Sequence, residues 1–316
     1  MPVRNAVKLF PALFSILFLG CGRNFTSRRF FYFGTYIDVT IPEKSAAAVF
    51  SRIEEEMKNV EKLLNLKSGP TAELNKTGRV KNGELAELLR FAVDASEKTG
   101  GIFDVTIESV LLLWGFSPVS SGHRDPSEKE IKDALKKVDF RRIKINGDTV
   151  SAPGTKVNFG SMGKGYLLLR IRRILENYRI KNALVDAGGD ILAMGKGKRG
   201  KWKIGVRDPF SNGISGVVEL TNLSASTSGD YENFFEKDGK KYNHILTPKT
   251  GLPAKKHQAT VISADPLAAD VYSTAFMLME NKTALEIADA LGLGVMMIDE
   301  RGKVWKNRIF CRYEKL

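Results

Sequence analysis

Cysteine is almost missing from this chain, with two in 316 residues, Cys21 and Cys311. No disulfide framework can therefore staple the fold, and stability must come from a packed core. No apolar run is long enough to cross a bilayer. The N-terminal stretch 9–19 falls short of the roughly 20 residues that a spanning helix needs. Internal repeats and Pro/Gly/Ser-rich linkers are also lacking, which favours one continuous domain. No glycine-rich segment has Walker A spacing or the full dinucleotide fingerprint. Acids are fewer than bases, 36 against 49, giving a net charge of +13. Such a balance attracts anionic surfaces and ligands but does not define a fold. The densest basic run, 195–203, alternates glycine with charge and has neither a second patch nor an aromatic platform. It reads as a solvated hairpin, and no nucleic-acid partner is expected.

What the chain does contain is helical periodicity interspersed with short strands. Residues 30–41 read as one strand, stopped by Pro42. Over 45–66, Phe50, Ile53, Met57, Val60, Leu63 and Leu64 recur at three- and four-residue steps, an amphipathic helix. Residues 67–81 read as a loop, 84–98 as a second helix closed by Gly100-Gly101, and 102–116 as a compact apolar element carrying Asp104. A short helix follows at 128–138. Asn146-Gly147-Asp148 marks a hairpin, and 167–178 is helical. Strands are expected at 183–185, 191–194, 202–206, 216–220, 260–263 and 295–298. Helices are expected at 266–280 and 283–290, with a closing hairpin across 300–302. The pattern predicts an α/β (α+β) class, a single layered domain with a mixed sheet.

Polar chemistry gathers in a few places. Gly160-Ser-Met-Gly-Lys-Gly165 puts three glycines and Lys164 before a helix. Exposed helix-start amides attract phosphate and glycine lets a ligand approach the backbone, although a tight strand–helix turn has the same composition. Asp186-Ala-Gly-Gly-Asp190 sets two acids around a flexible turn. They suit Mg²⁺ or ligand hydroxyls, and equally a capped turn. Asp270 and Thr274, four apart, share a helix face and offer hard oxygen donors. His123 and His257 read as surface residues. His244 stands apart, four residues before Pro248 in the crowded stretch 226–253.

These blocks resemble the FAD:protein FMN transferases, the ApbE-type family. The family signature Tyr/Phe-x-His-Ile-x-Asp-Pro-x-Thr-Gly-x-Pro is matched at Tyr242, His244, Ile245, Pro248, Thr250, Gly251 and Pro253, with Thr247 where Asp is usual. Ala-Asp-x-x-Ser-Thr is matched at Ala269-Asp270 and Ser273-Thr274. The block Asp-Leu-Gly-Gly-Ile-Ala-Lys-Gly-Tyr aligns on 158–166, with Asn158 in place of its opening acid. Phe33-Gly-Thr35, Leu74-Asn75 and 101–116 correspond to further blocks, so the resemblance covers about 30–310.

The resemblance implies Mg²⁺-dependent transfer of the FMN half of FAD to a Ser or Thr hydroxyl of a target flavoprotein, with release of AMP. It implies metal ligands at Asp270, Thr274 and the Ser161 carbonyl. Flavin-side contacts are implied at Phe33, Ile102, Phe103, Asp104, Asn158, Lys164 and Ile245, with His244 as the proton acceptor. Hydrolysis of FAD to FMN and AMP, or flavin storage without turnover, would use the same pocket. At the N-terminus, Arg4 and Lys8 precede the apolar run, and Phe18-Leu-Gly-Cys21 resembles the lipobox of bacterial lipoproteins. The expectation is a signal over 1–20, acylation of Cys21, a tether over 21–29 and a catalytic domain over 30–316. The protein would then sit on the periplasmic side of the inner membrane, acting on an exported or membrane flavoprotein with a Ser/Thr-containing motif.

Overall fold

The computed structural model describes residues 24–43 and 46–315. The expected signal and residues 21–23 of the expected tether, Cys21 among them, lie outside these, while residues 25–29 of that tether belong to the first strand. Strands β1 (Phe25–Tyr32) and β2 (Thr35–Pro42) open the domain, followed by helix α1 (Ala46–Leu64). Next come α2 (Pro70–Thr77), β3 (Arg79–Lys81), α3 (Gly83–Lys98), α4 (Glu108–Trp114), α5 (Glu128–Leu135), β4 (Lys144–Asn146) and β5 (Thr149–Ser151). The second half holds α6 (Gly163–Asn177), β6 (Ala183–Ala187), β7 (Asp190–Met194), β8 (Trp202–Arg207), β9 (Ile214–Leu220) and β10 (Leu223–Gly229). After β11 (Phe234–Lys237), β12 (Lys240–Asn243), β13 (Gln258–Ser263), α7 (Pro266–Leu278) and α8 (Asn281–Ala290), the chain ends with β14 (Gly294–Ile298), β15 (Val304–Lys306) and α9 (Arg308–Cys311).

One eight-stranded sheet, in the order β1-β2-β6-β7-β10-β13-β14-β15, organises the domain. The α/β class holds, but each of its neighbouring strand pairs is antiparallel where a mixed sheet was expected. The connections explain it. Tight turns join β1 to β2 and β6 to β7, and two consecutive helices, α7 and α8, return the chain so that β14 runs against β13. Parallel pairing needs a single crossover, which these connections do not provide.

The main core lies between one sheet face and the helices. Val49, Phe50, Ile53, Met57, Val60 and Leu63 of α1 turn toward it, at the helical period that the sequence shows. Helix α7 is buried almost all round, with Asp265 capping its start through Leu267 N at 2.9 Å. On the other face, the β8–β9 hairpin closes a second core through Trp202, Ile204, Val206, Val218 and Leu220. The sheet is thus sandwiched between helices and a separate hairpin.

Its two ends differ. One gathers the turns at Phe33-Gly34 and Gly188-Gly189 and the end of β10, all beside the same cleft. At the other end lie Phe25, Pro42, Ala183, Met194 and Leu223. Among the described residues, no helix is long and apolar enough to cross a membrane.

Helices α6 and α7 approach to backbone distance at Gly165. A Cβ there would stand 2.6 Å from both Asp270 Cβ and the Pro266 carbonyl oxygen. Gly165→Ala is expected to destabilise the domain by about 1–3 kcal/mol, because overpacking exceeds the gain in helix propensity of about 1 kcal/mol. Urea unfolding measures it. A more stable variant would show that the two helices can part without cost.

Candidate active site

The cleft at the turn end of the sheet has a volume of about 1050 Å³. The eleven described residues to which the resemblance assigns a role all line it: Phe33, Ile102, Phe103, Asp104, Asn158, Ser161, Lys164, His244, Ile245, Asp270 and Thr274. They come from elements far apart in the chain, so long-range packing creates their proximity. Cys21 falls outside the described residues.

His244 follows the β11–β12 hairpin, whose turn at Asp238-Gly239 has both residues at positive φ. The ladder ends with Phe234 opposite Asn243, which brings His244 beside Asn233. The Asn233 carbonyl accepts from His244 N at 3.0 Å and lies 3.1 Å from His244 Nδ1. A carbonyl cannot donate, so Nδ1 carries the proton and Nε2 keeps its lone pair. Burial pushes the imidazole pKa down to about 4, and Lys164 adds to the effect. The sequence alone gave no reason to place it below the ordinary value. Among the described residues, Thr247 makes no hydrogen bond to the ring. Its hydroxyl accepts from Lys249 N at 3.4 Å, and its carbonyl accepts from Gly251 N at 2.7 Å. The loop is pinned from outside by Trp114 Nε1, which donates to the Gly251 carbonyl at 2.8 Å.

Across the cleft, Asp270 is 4% exposed, and its Oδ2 accepts from Gly165 N at 2.7 Å. Oδ1 makes no hydrogen bond among the described residues. Burial and the nearby Asp190 carboxylate push the Asp270 carboxyl up to about 8. Thr274 Oγ1 lies 3.2 Å from Ser228 Oγ, which also meets Ser273 Oγ at 2.8 Å. Lys164 Nζ sits 2.9 Å from Asp190 Oδ2. Burial alone would lower the ammonium pKa, but Asp190, Glu232 and Asp270 outweigh it and hold the lysine protonated above its ordinary value. Asp186 accepts from Gly189 N at 2.8 Å, and burial pushes it up to about 6.

A metal fits this chemistry. No group of three or more His, Cys, Asp or Glu among the described residues is arranged to hold an ion. A cation would have to combine one carboxylate with hydroxyl, carbonyl and substrate oxygens, a hard donor set suited to Mg²⁺. Buried Asp270, which lines the cleft together with Thr274 and Ser228 and commits one oxygen to Gly165 N, meets that need.

The Gly160–Gly165 approach is held by two amide side chains. Asn75 Nδ2 donates to the Val157 carbonyl at 2.8 Å, and Asn75 Oδ1 accepts from Val157 N at 2.7 Å. Asn158 Oδ1 accepts from Gly160 N at 2.7 Å, and its Nδ2 donates to Glu108 Oε2 at 2.6 Å. Glu108, 2% exposed, also accepts from Ser117 Oγ at 2.6 Å. This acid escaped sequence reading because nothing in the apolar run around it marks it. Glu232 and Ser228 escaped as well, since only the fold turns them toward Lys164 and Thr274. Asp104 accepts from Thr106 N, Thr106 Oγ1 and Phe140 N at 2.6–3.0 Å, so its carboxylate ties down the 102–106 loop. The two other histidines are half-buried rather than exposed. His123 stacks on Phe235 at 5.0 Å, and His257 Nδ1 meets Asp230 Oδ2 at 3.1 Å.

Asn158→Asp would set two buried carboxyls 2.6 Å apart. One of them would keep a proton above the ordinary carboxylate range in the folded state only. Stability should therefore be intact in acid and fall, by about 1–3 kcal/mol, as pH rises past the unfolded value near 4. Adding Glu108→Gln should restore it. Urea unfolding at acid and neutral pH checks this, and a pH-independent loss would exclude like-charge repulsion.

An antiparallel sheet under helices, with a glycine-lined polar cleft at its turn end, is an enzyme-like architecture that solved proteins share. The ApbE protein of Thermotoga maritima superposes with a TM-score of 0.88 at 29% identity, over 93% of this chain and 100% of that one. The apo flavinyl transferase ApbE of Pseudomonas stutzeri gives 0.81 at 26% identity, over 92% and 97%. The ApbE family model matches residues 33–297, and the chain belongs to the ApbE family. In sequence it is 30% identical over 247 residues to the FAD:protein FMN transferase of Haemophilus influenzae, covering 74% of this chain and 71% of the relative. The FAD:protein FMN transferase of Escherichia coli is 29% identical over 235 residues, 71% and 67% respectively.

Proposed function

We propose that this chain transfers the FMN moiety of FAD to a Ser or Thr hydroxyl of a target flavoprotein and releases AMP, with Mg²⁺ as cofactor. The observation that carries the reading is the meeting, in one cleft, of an imidazole with its Nε2 lone pair free and a protonated lysine beside buried carboxylates. Phe33, Ile102 and Phe103 give the cleft an apolar wall suited to a flavin ring. Lys164 and the amides at the start of α6 suit the pyrophosphate. Asn158 and Asp104 act by fixing the loops that carry these contacts.

In the reaction, the acceptor oxygen forms a bond to the phosphorus on the riboflavin side. The bridging P–O bond breaks, and AMP leaves with the electron pair. Nε2 of His244 takes the hydroxyl proton. Lys164 offsets negative charge on the phosphates. Asp270, Thr274 and the Ser161 carbonyl would hold Mg²⁺, which supplies Lewis-acid neutralisation of the pyrophosphate when bound. The acceptor is an exported or membrane flavoprotein, and acylated Cys21 keeps the enzyme at the periplasmic face of the inner membrane.

The test incubates purified protein with FAD, Mg²⁺ and an acceptor domain. A fluorescent acceptor band on a denaturing gel with equimolar AMP supports the reading. AMP released at the same rate without acceptor would make the protein a hydrolase instead.

A further inference from the structure

The end of the sheet opposite the cleft has its own chemistry. The described chain enters there: Phe25 pairs with Pro42, and its ring meets Trp202 edge-on at 5.6 Å. Trp202 Nε1 in turn donates to the Met194 carbonyl at 2.9 Å. Arg179, Lys181, Lys196, Lys201, Lys203 and Lys315 surround this entry point, and all are exposed. Glu43, Glu176 and Glu219 are the neighbouring acids: Glu43 N donates to the Asn24 carbonyl at 3.0 Å, and Lys315 lies 3.8 Å from Glu219. Among the described residues, no ion pair engages the other five cations. Lys315 lies close enough to Lys203 to hold the Lys203 ammonium below its ordinary value. Positive charge is thus crowded where the chain begins its first strand.

We propose that this end is a docking surface for an anionic phospholipid bilayer, and that it turns the cleft away from the membrane. The orientation rests on the reading of Cys21 as the acylated residue. Only Gly22 and Arg23 separate Cys21 from Asn24, where the described residues start, a distance of three residue steps. Three extended residues reach about 11 Å at most, and the Debye length at physiological salt is about 8 Å. A lipid on Cys21 therefore brings these cations within range of the surface potential. Strands β1 and β2, eight residues each, then set the cleft roughly 25 Å further out. A soluble acceptor domain would meet that mouth from the aqueous side.

The test uses the full chain with Cys21→Ser, so that electrostatic docking is read apart from the anchor. Co-sedimentation compares phosphatidylcholine vesicles with and without phosphatidylglycerol. Binding is expected only with phosphatidylglycerol, and it should weaken steeply with salt. K196E/K201E/K203E should weaken it at least tenfold, since each cation near such a surface contributes roughly fivefold, while FMN transfer in solution is unchanged. Equal, salt-insensitive binding to both vesicles would mean that the apolar stretch 9–19 inserts, and would overturn the docking surface. So would an unaffected triple variant. With Cys21 intact, the triple variant should stay on the membrane; its release would defeat the anchor reading alone. Single-cysteine labels at Lys201 and Tyr36, in a Cys311→Ser background with Cys21 acylated, report orientation. Headgroup quenchers should reach the first far better, and equal or reversed quenching would overturn the outward-facing cleft.

Discussion

His244→Ala is expected to lower flavin transfer by roughly 10²–10⁴-fold, the usual contribution of a positioned general base, while FAD binding changes little. The two effects separate because the proton moves only on the way to the transition state, whereas the flavin is held by the apolar wall and the phosphate contacts. His244→Asn sharpens the experiment. Its amide nitrogen can still donate to the Asn233 carbonyl, as Nδ1 does at 3.1 Å, but it offers no basic lone pair. Both variants should fail alike if the chemistry of Nε2 matters. A near-normal Asn variant would show that the ring only braces its loop. The pH profile adds a second reading. Saturating Mg²⁺ is used, so that the Asp270 carboxyl, at about 8 in the free protein, is held ionised. The imidazole pKa near 4 then places the histidine's acid limb of kcat/KM near pH 4, where the base becomes protonated. An acid limb at the ordinary histidine value near 6.5 would contradict the burial of the ring. Single-turnover AMP release at saturating FAD gives the rate.

Asp270→Asn is expected to abolish Mg²⁺-dependent turnover and leave much of the flavin affinity. Asparagine keeps an oxygen for Gly165 N, now 2.7 Å from Oδ2, so helices α6 and α7 stay docked. What disappears is the only carboxylate in the proposed donor set, and hard cations bind weakly without one. Thermal unfolding provides a readout independent of catalysis. At about 100 times Kd, a ligand specific for the folded state stabilises by about 2.7 kcal/mol, several degrees in Tm for a domain this size. Mg²⁺ should raise the Tm of the parent protein and leave that of the variant unmoved. A parent indifferent to both Mg²⁺ and chelator would remove the metal from the mechanism.

Amphipathic helices were the most legible part of the fold, because α1 and α3 write their buried faces at helical spacing. Other elements were hidden for identifiable reasons. Residues 30–41 looked like one strand, yet Phe33 and Gly34 take φ of 55° and 68° and fold the stretch back into the β1–β2 hairpin. A bulky residue in the left-handed region is uncommon, so Phe33 gives no turn signal. Helix α2 passed for loop because Gly69-Pro70 looks like a breaker, whereas Pro70 is its first residue. Strand β10 was missed altogether. Its sequence, Leu-Ser-Ala-Ser-Thr-Ser-Gly, lacks the large side chains that mark strands, although it lies at the centre of the sheet and is mostly buried. The cleft residues were found by their resemblance to family blocks. Glu108 lies inside the 101–116 block but carries no mark of its role there, and it and the grip of Asn233 on His244 needed coordinates.

The bond from Gly165 to Asp270 closes a separation of 105 residues, and that from Trp114 to Gly251 closes 137. Closures of this length form slowly compared with local turns. They also fix when in the life of the chain the site can exist. A polypeptide growing from its N-terminus displays the Gly160–Gly165 loop long before the ribosome has made α7, so Lys164 waits without Asp270. Arrested at residue 250, the molecule would own the glycine-rich loop and the histidine but not the helix that carries Asp270 and Thr274. The cleft is therefore complete only once α7 has been made, which keeps shorter chains from assembling it.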